Sequence, residues 1–288
     1  MKRKFAAFLI VALLVAILPA FAQRPAPFVP NANYEHYQAG IYFAQSYATY
    51  SARILNTLTG TGSQTYIVGP PTPLADGTSF AYNPAILFNT NTPLLFSDAS
   101  SEIVTPTAVS IGNCPTSVTT GGPSGGAVCV SITASFSNTH GQGSLVVSGD
   151  SGIQEAMTDA GNNGGGLVYF QTDVPATTLN TGGLTTTTTY YAPKQFMSFG
   201  ATAKVTTTIT TSANWAVGIS GTTAAFCTAN STLTAGTTCT ANQNAPAQVG
   251  SGTAQGVTAI LFTMGTSNAG AGAIKARVWG YAPVQATN

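Results

Sequence analysis

Two carboxylates in one short segment are the first residues of this sequence that could do chemistry. Glu155 and Asp159 are four positions apart, which on a helix places them one turn apart on the same face. Hydrolysis of a glycosidic bond needs two carboxylates about 5–10 Å apart, one on each side of that bond. Helical charges at this spacing more often belong to a solvated surface. We therefore expect both side chains to face solvent, and we assign no catalytic residue.

The sequence GDSG at residues 149–152 is similar to the nucleophile loop of chymotrypsin-like serine proteases, with Ser151 at the position of the nucleophile. Such a serine needs a histidine as its base and a third group that orients the histidine. The chain has two histidines, His36 and His140, and no surrounding pattern supports a protease. We interpret Ser151 instead as a helix cap.

The chain has four cysteines, Cys114, Cys129, Cys227 and Cys239. An even number of cysteines in an exported protein indicates disulfides, and four cysteines allow three pairings. Pairing of sequence neighbours, Cys114 with Cys129 and Cys227 with Cys239, closes two short loops. Each loop would stabilise the fold by about 3 kcal/mol in the chain-entropy model. The cysteines and histidines lack the spacing of zinc ligands, so we expect no metal site and no cofactor.

Residues 273–281, AIKARVWGY, alternate between small or apolar side chains and cationic or aromatic ones. This period of two predicts a β-strand whose faces differ. One face carries Ile274, Ala276 and Val278, and the other carries Lys275, Arg277, Trp279 and Tyr281. The second face is a candidate contact surface for a sugar or a second subunit, because aromatic side chains and arginine are common in such surfaces. The alternative is cation–π packing within one chain.

The N-terminus has the three parts of a secretory signal peptide within residues 1–22. A basic start at residues 2–4 is followed by an apolar run over residues 5–18 and by a small-x-small cleavage site that ends at Ala22. The apolar run is shorter than the roughly 20 residues that cross a bilayer. We expect cleavage after Ala22, no transmembrane segment in the mature chain, and a protein that is secreted or held at the cell surface.

Charged residues make up 6% of the chain, against roughly a quarter in ordinary soluble proteins. The nine Lys/Arg and eight Asp/Glu residues nearly cancel. No basic patch is available to follow a phosphate backbone, so we expect no nucleic-acid partner. A surface with so little charge repels copies of itself only weakly. Self-association or a surface polysaccharide is therefore the expected partner.

The pattern along the chain predicts a mainly β protein with two β-sandwich-like or short β-helix-like modules and one short capped helix between them. Short apolar or alternating runs are separated by turn residues about every ten positions, as in sandwiches and barrels. We place an N-terminal β module at 60–148 and a C-terminal β module at 149–288. Before them, residues 23–59 form a Pro-rich leader and a Tyr-rich helix or strand.

Individual strands can be placed within these modules. The run VCVSITASF at 128–136 alternates like a half-buried strand, and the apolar run AILF at 85–88 also predicts a strand. Two Thr-rich stretches, at 185–191 and 204–211, are predicted strands as well, because β-branched threonine fits a pleated surface.

The predicted helix begins near Ser151, because Ser151 and Gln154 have the spacing of a capping box and Asp150 adds negative charge at the helix N-terminus. Gly161 is placed to end the helix. Residues 164–170 then form a glycine turn and a strand of the buried type.

Residues 153–170, with IQEAM, DAG and GGGLVYF, resemble the initial segment of pectate-lyase-like parallel β-helices, which secreted polysaccharide lyases and phage tailspikes share. That segment is a short helix that caps the coil, a glycine turn and the first strand. Residues 196–281 are similar to small β-sandwich modules of phage-type and bacterial surface structural proteins. The first resemblance implies polysaccharide processing, but a Ca²⁺-dependent centre needs several oxygen ligands, and no Asp or Glu follows Asp173.

Two functions are predicted from these observations. The first is a secreted, non-enzymatic structural or surface protein that self-associates or adheres, with phage-derived surface proteins among the candidates. The second is an extracellular protein that binds or processes carbohydrate. In the second case, acidic polysaccharides should bind and Trp279→Ala should abolish that binding.

Overall fold

The structure is a computed structural model, which describes residues 40–69, 84–90, 92–113, 128–239, 241 and 256–287. The described chain is mainly β, as the sequence predicts. Its strands form three sheets around two hydrophobic cores. The predicted signal peptide and the Pro-rich leader lie outside the described residues.

The Tyr-rich segment contains both strands and a helical turn. It forms strand β1 (Ile41–Phe43), the single turn α1 (Ala44–Tyr47) and strand β2 (Ser51–Ile54). Tyr42 and Tyr47 are buried in one core, whereas β2 contributes to the other core. The segment therefore connects the two cores, and contacts with two different sheets override its local helical spacing.

Seven antiparallel strands form the first sheet. Besides β2 they are β3 (Gly62–Gly69), β4 (Leu94–Ser97), β5 (Glu102–Val104), β6 (Ala108–Asn113), β7 (Val128–Phe136) and β8 (Leu145–Ser148), in the order β5-β4-β8-β2-β3-β7-β6. The alternation predicted for β7 is confirmed, since Val130, Ile132, Ala134 and Phe136 are buried. The rings of Tyr66, Phe96 and Phe136 meet edge to face at the centre of this core, with centroids 5.0 to 5.4 Å apart.

Residues 84–87 form a helical turn, α2 (Pro84–Leu87), where the apolar run predicted a strand. That prediction was wrong. Proline suits the first turn of a helix, and a short apolar run does not distinguish a strand from a buried helical turn. Ile86 packs in one core and Leu87 and Phe88 pack in the other, so α2 also connects the two cores.

The predicted helix is present as α3 (Ile153–Asn162), but its cap is not the predicted one. The backbone N–H groups of Ile153 and Gln154 each donate to the carboxylate of Asp150 at 3.1 Å. Ser151 is exposed, with a positive φ of 62°. The capping-box prediction was wrong because the chain turns the Ser151 side chain outward, which leaves Asp150 to satisfy the free N–H groups of the first turn.

Seven further strands form two four-stranded sheets together with β1. They are β9 (Gly166–Thr178), β10 (Thr185–Pro193), β11 (Met197–Thr210), β12 (Trp215–Ile219), β13 (Thr222–Asn230), β14 (Val257–Met264) and β15 (Ala271–Val284). The sheet orders are β1-β9-β15-β11 and β10-β14-β12-β13. All neighbours are antiparallel except β1 and β9. The two Thr-rich stretches lie in β10 and β11, which confirms that they are strands.

The two four-stranded sheets share one hydrophobic core, so this part of the chain is sandwich-like. Phe196 connects the sheets, because its ring contacts Phe170 of β9 at 5.6 Å and stacks on Phe226 of β13 at 4.7 Å. The buried indole of Trp215 donates its N–H to the carbonyl of Thr232 at 2.9 Å. Four apolar residues of α3 complete this core, Ile153, Ala156, Met157 and Ala160.

One predicted disulfide is present between Cys227 and Cys239. Cys227 lies in β13, and the backbone N–H of Cys239 donates to the carbonyl of Ala203 in β11 at 2.9 Å. The disulfide therefore ties one sheet of the sandwich to the edge of the other. Cys129 is also disulfide-bonded, and its predicted partner, Cys114, lies outside the described residues.

Gly152 is the closest point between the start of α3 and α1, and its φ of 80° is left-handed. A Cβ added there would lie 2.1 Å from the carbonyl oxygen of Ala44 and 2.5 Å from the backbone nitrogen of Ala48. We expect Gly152→Ala to lower the free energy of unfolding by about 3–5 kcal/mol, measured by urea denaturation.

Gly164→Ala is the matched control. Gly164 has a similar φ of 91°, but no atom lies within 4 Å of an added Cβ. This variant should lose only the conformational penalty of about 1–2 kcal/mol for a left-handed alanine. Equal losses in the two variants would contradict the close approach of α1 and α3.

Candidate functional site

The outer face of the sheet β1-β9-β15-β11, turned away from the shared core, carries the four contact residues predicted from the sequence. Along β15 the alternate residues Ile274, Ala276 and Val278 are buried. The intervening side chains point outward: Lys275 and Arg277 are exposed, and Trp279 and Tyr281 are half-buried. The structure therefore places these four residues in one row.

A groove of about 690 Å³ crosses β9, β15 and β11 at the charged end of this row. Its charged lining residues are Asp173, Lys204, Lys275 and Arg277, and Tyr190 also lines it. Only five Lys/Arg residues follow residue 24 in the sequence, and three of them line this one groove. With one carboxylate among them, the groove has a formal charge of about +2, in a chain that is otherwise nearly uncharged.

Lys204 and Lys275 lie directly opposite each other on the neighbouring strands β11 and β15. Both are exposed, and neither forms an ion pair with another described residue. Like charges directly opposite in a sheet are destabilising. The groove therefore holds two adjacent positive charges that an anion would neutralise.

Arg277 faces Asp173 across β15 and β9. Its Nε donates to one carboxylate oxygen and its Nη2 donates to the other, the second contact at 3.1 Å. These hydrogen bonds and the carboxylate charge raise the pKa of Arg277. The side chains are 56% and 54% exposed, so the pair contributes little to stability. Its effect is to hold the guanidinium beside the two lysines.

Trp279 follows Arg277 on the same face of β15 and lies against Gly200 of β11. A Cβ added at Gly200 would be 2.4 Å from Cζ2 of the indole and 2.8 Å from Cε2. The ring therefore covers the glycine, which has no side chain to push it off the sheet. Trp279 remains partly exposed, so it offers an aromatic surface next to the cations.

A row of aromatic rings continues from Trp279 across the sheet. Tyr281 contacts Tyr169 of β9 with centroids 5.3 Å apart, and Tyr169 contacts Phe43 of β1 at 5.4 Å. All three are half-buried. We call the whole surface the basic–aromatic face, which comprises Lys204, Lys275, Arg277, Trp279, Tyr281, Tyr169 and Phe43.

The carboxylates of α3 do not form the solvated pair predicted from the sequence. Glu155 is fully buried, and Asp159 is half-buried and accepts a hydrogen bond from the Tyr47 hydroxyl at 2.5 Å. The prediction of an exposed Glu155 was wrong because α1, α2, β9 and β10 all pack against α3. The hydroxyl of Ser148 lies 2.9 Å from Asp150 Oδ1 and 3.1 Å from Glu155 Oε2, so Asp150 is the true neighbour of Glu155.

Asp150 and Glu155 form a buried pair of carboxyl groups around the Ser148 hydroxyl. Burial raises the pKa of Asp150, and burial together with the Asp150 charge raises the pKa of Glu155 well above 4.5. Asp150 accepts two backbone N–H groups, which favour its charged form, so Glu155 is the member of the pair that favours the protonated form. Burial, with smaller contributions from Asp159 and Glu155, also raises the pKa of Tyr50 to about 12.

His140 is the second buried polar centre. Its Nδ1 lies 2.8 Å from Asp98 Oδ2, and its Nε2 lies 2.9 Å from Glu102 Oε1. Burial alone would raise the pKa of Asp98 and Glu102, but hydrogen bonds from His140 and from backbone N–H groups lower both. Each ring nitrogen of His140 therefore has a carboxylate partner of its own. Because both ring nitrogens are occupied, His140 is not placed to act as a base for Ser151.

No group of three or more His, Cys, Asp or Glu side chains among the described residues is placed to hold a metal ion. Among the same residues, no helix combines the length and the apolar character needed to cross a membrane.

Comparison of the chain with known protein families, with curated proteins and with solved structures gave no match.

Sequence reasoning missed three members of the basic–aromatic face, Lys204, Tyr169 and Phe43, and the groove carboxylate Asp173. Lys204 and Gly200 lie in β11, and the register that brings them to Lys275 and Trp279 joins residues 71 and 79 positions apart. Local periodicity identifies a strand and its faces but not its neighbours. The available signal was the scarcity of cations, since only Arg53, Lys194 and Lys204 remained after residue 24 as companions for the two of β15.

The buried carboxyl pair predicts an unusual effect of Glu155→Gln. The folded-state pKa of Glu155 is raised, so folding takes up a proton and stability falls as pH rises above about 4.3. Glutamine resembles the protonated side chain and removes this loss. The variant should be more stable than the parent by about 1–2 kcal/mol at pH 8, and the difference should vanish near pH 4 in urea denaturation.

Glu102→Gln is a control of opposite sign. The folded-state pKa of Glu102 is lowered, so its contribution is present above about pH 4.3 and is lost as pH falls through the lowered value. This variant should be less stable than the parent at pH 8 and closer to it in acid. A Glu155→Gln variant that loses stability equally at both pH values would contradict the raised pKa of Glu155.

Proposed function

We propose that the protein is an exported, non-enzymatic surface protein that adheres through its basic–aromatic face. One observation carries the proposal: three of the five Lys/Arg residues after residue 24 line a groove on the outer face. The half-buried Trp279 and Tyr281 continue the same row. Exposed aromatic and arginine side chains gathered on one surface are typical of binding sites.

The buried acids support a binding function over a catalytic one. A catalytic acid or base must reach the reacting atoms of its substrate. Asp150 and Glu155 are 2% and 0% exposed, and His140 is 0% exposed. Their hydrogen-bonding partners are the helix α3, Ser148 and two further carboxylates. These groups hold the fold together.

Export is part of the proposal and has two supports. The signal-peptide pattern occupies residues 1–22. The disulfide between Cys227 and Cys239 is typical of oxidising compartments outside the cytosol.

The surface can adhere to copies of itself or to a carbohydrate. The charged fraction of 6% favours self-association, since there is little repulsion between copies. The contact of Trp279 with Gly200 favours the second candidate, an extracellular carbohydrate-binding protein, because a partly exposed aromatic ring on a sheet surface suits the apolar face of a sugar.

Adhesion can be tested with the double variant Trp279→Ala/Tyr281→Ala. The exported chain should be retained on polysaccharide-coated surfaces or should form a defined oligomer by light scattering. The double variant should lose that behaviour at least tenfold, because the aromatic row supplies most of the apolar contact area.

Leu184→Ala is the matched control, since Leu184 is 44% exposed and lies outside the face. Circular dichroism should show that both variants are folded. A parent protein that stays monomeric over about a hundredfold range of concentration and binds no surface would contradict the proposal. So would a double variant that binds as well as the parent.

A further inference from the structure

We propose that the ligand of the basic–aromatic face is an acidic polysaccharide. Its carboxylate or sulfate groups lie in the groove beside Lys204 and Lys275, and its sugar rings stack on Trp279. This inference rests on the proposed function and names the ligand class of the same face.

The lysine pair points to an anionic ligand. Lys204 and Lys275 are opposite each other in the register of β11 and β15. The nearest carboxylate in the groove, Asp173, already receives two hydrogen bonds from Arg277. The fold therefore keeps two like charges at neighbouring positions of a sheet, where strands are about 4.8 Å apart, and their repulsion disfavours folding. A bound anion removes that repulsion.

The length of the face indicates an extended ligand. Side chains on one face of a strand recur about every 6.7 Å, so the row from Lys275 to Tyr281 is about 20 Å long. The groove adds width at the charged end, because it crosses three strands. A single small anion would occupy the lysine pair alone. A chain with repeated charges and rings can contact the lysines, the guanidinium and the indole together.

The number of cations favours an acidic glycan over a nucleic acid. Affinity for single-stranded nucleic acid depends on the release of counterions, with a salt slope of about −0.7 for each phosphate that is neutralised. Three cations and one carboxylate in the groove support few such contacts, and the chain as a whole is nearly neutral. A glycan that carries both charges and apolar ring faces matches this mixture of lysines and aromatic rings.

Binding can be measured with pairs of glycans that differ only in charge. Polygalacturonate is compared with its methyl ester, and dextran sulfate is compared with dextran, by titration calorimetry on the exported chain. Oligo-dT serves as a nucleic-acid probe. We expect both acidic glycans to bind at least tenfold more tightly than their neutral counterparts and than oligo-dT, with affinity falling as salt rises.

The variant Lys204→Gln/Lys275→Gln separates a binding role from a structural one. It should weaken binding of the acidic glycans at least tenfold. Without ligand, its melting temperature should equal or exceed that of the parent, because the repulsion between the lysines is gone. If the two lysines stabilised the fold, this variant would melt at a lower temperature than the parent. Lys194→Gln, which removes an exposed cation outside the groove, should leave both quantities unchanged.

Each other result has a definite meaning. Acidic and neutral glycans could bind equally well, with binding lost in Trp279→Ala and kept in the lysine variant. That result would overturn the acidic ligand but keep the adhesive face. Tighter binding of oligo-dT would also overturn the inference. If the parent forms oligomers that dissociate in Trp279→Ala and binds no glycan, the partner of the face is a second copy of the chain and the inference is overturned. A monomer that binds none of the probes would remove both this inference and the proposed function.

Discussion

The candidate site depends on the pairing of β15 with a strand on each side. β15 is hydrogen-bonded to β9 over Gly166–Thr178 and to β11 over Met197–Thr210. Each outward side chain of β15 therefore has a fixed neighbour: Arg277 has Asp173, Lys275 has Lys204, and Trp279 has Gly200. The site is a set of cross-strand pairs, and cross-strand pairs are the contacts that determine the energy of a sheet surface.

The few charged side chains of the molecule fall into two groups, which differ in burial and in their partners. The buried ones have close partners: Asp150 caps α3, and His140 lies between Asp98 and Glu102. Burial without such partners would be strongly unfavourable. The exposed lysines of the groove have no carboxylate of their own among the described residues. In a chain with so few charges, two lysines at directly opposite positions of a sheet are the least expected feature of the surface.

Features that depend on residues close together in the chain were predictable from the sequence. The alternation of β7 and β15, the Thr-rich strands and the Cys227–Cys239 pair could all be read from neighbouring residues. Contacts between distant residues could not. Glu155 was expected in solvent because helical charges four positions apart more often lie on a solvated surface, but six other elements pack around α3. Asp150 caps α3 in place of Ser151, since Ser151 and Gly152 both have left-handed φ angles and Gly152 lies against the backbone of α1.

A rigid sheet is a suitable support for a site whose charges repel each other. The backbone of β15 is paired on both edges, and its inner residues Ile274, Ala276 and Val278 are buried in the shared core. The backbone of Lys275 therefore cannot move away from that of Lys204 without breaking the ladder or exposing apolar surface, which costs about 25 cal/mol for each Å². The core holds the two lysine backbones opposite each other before any ligand arrives. Such preorganisation lowers the free energy that binding would otherwise spend on ordering the site.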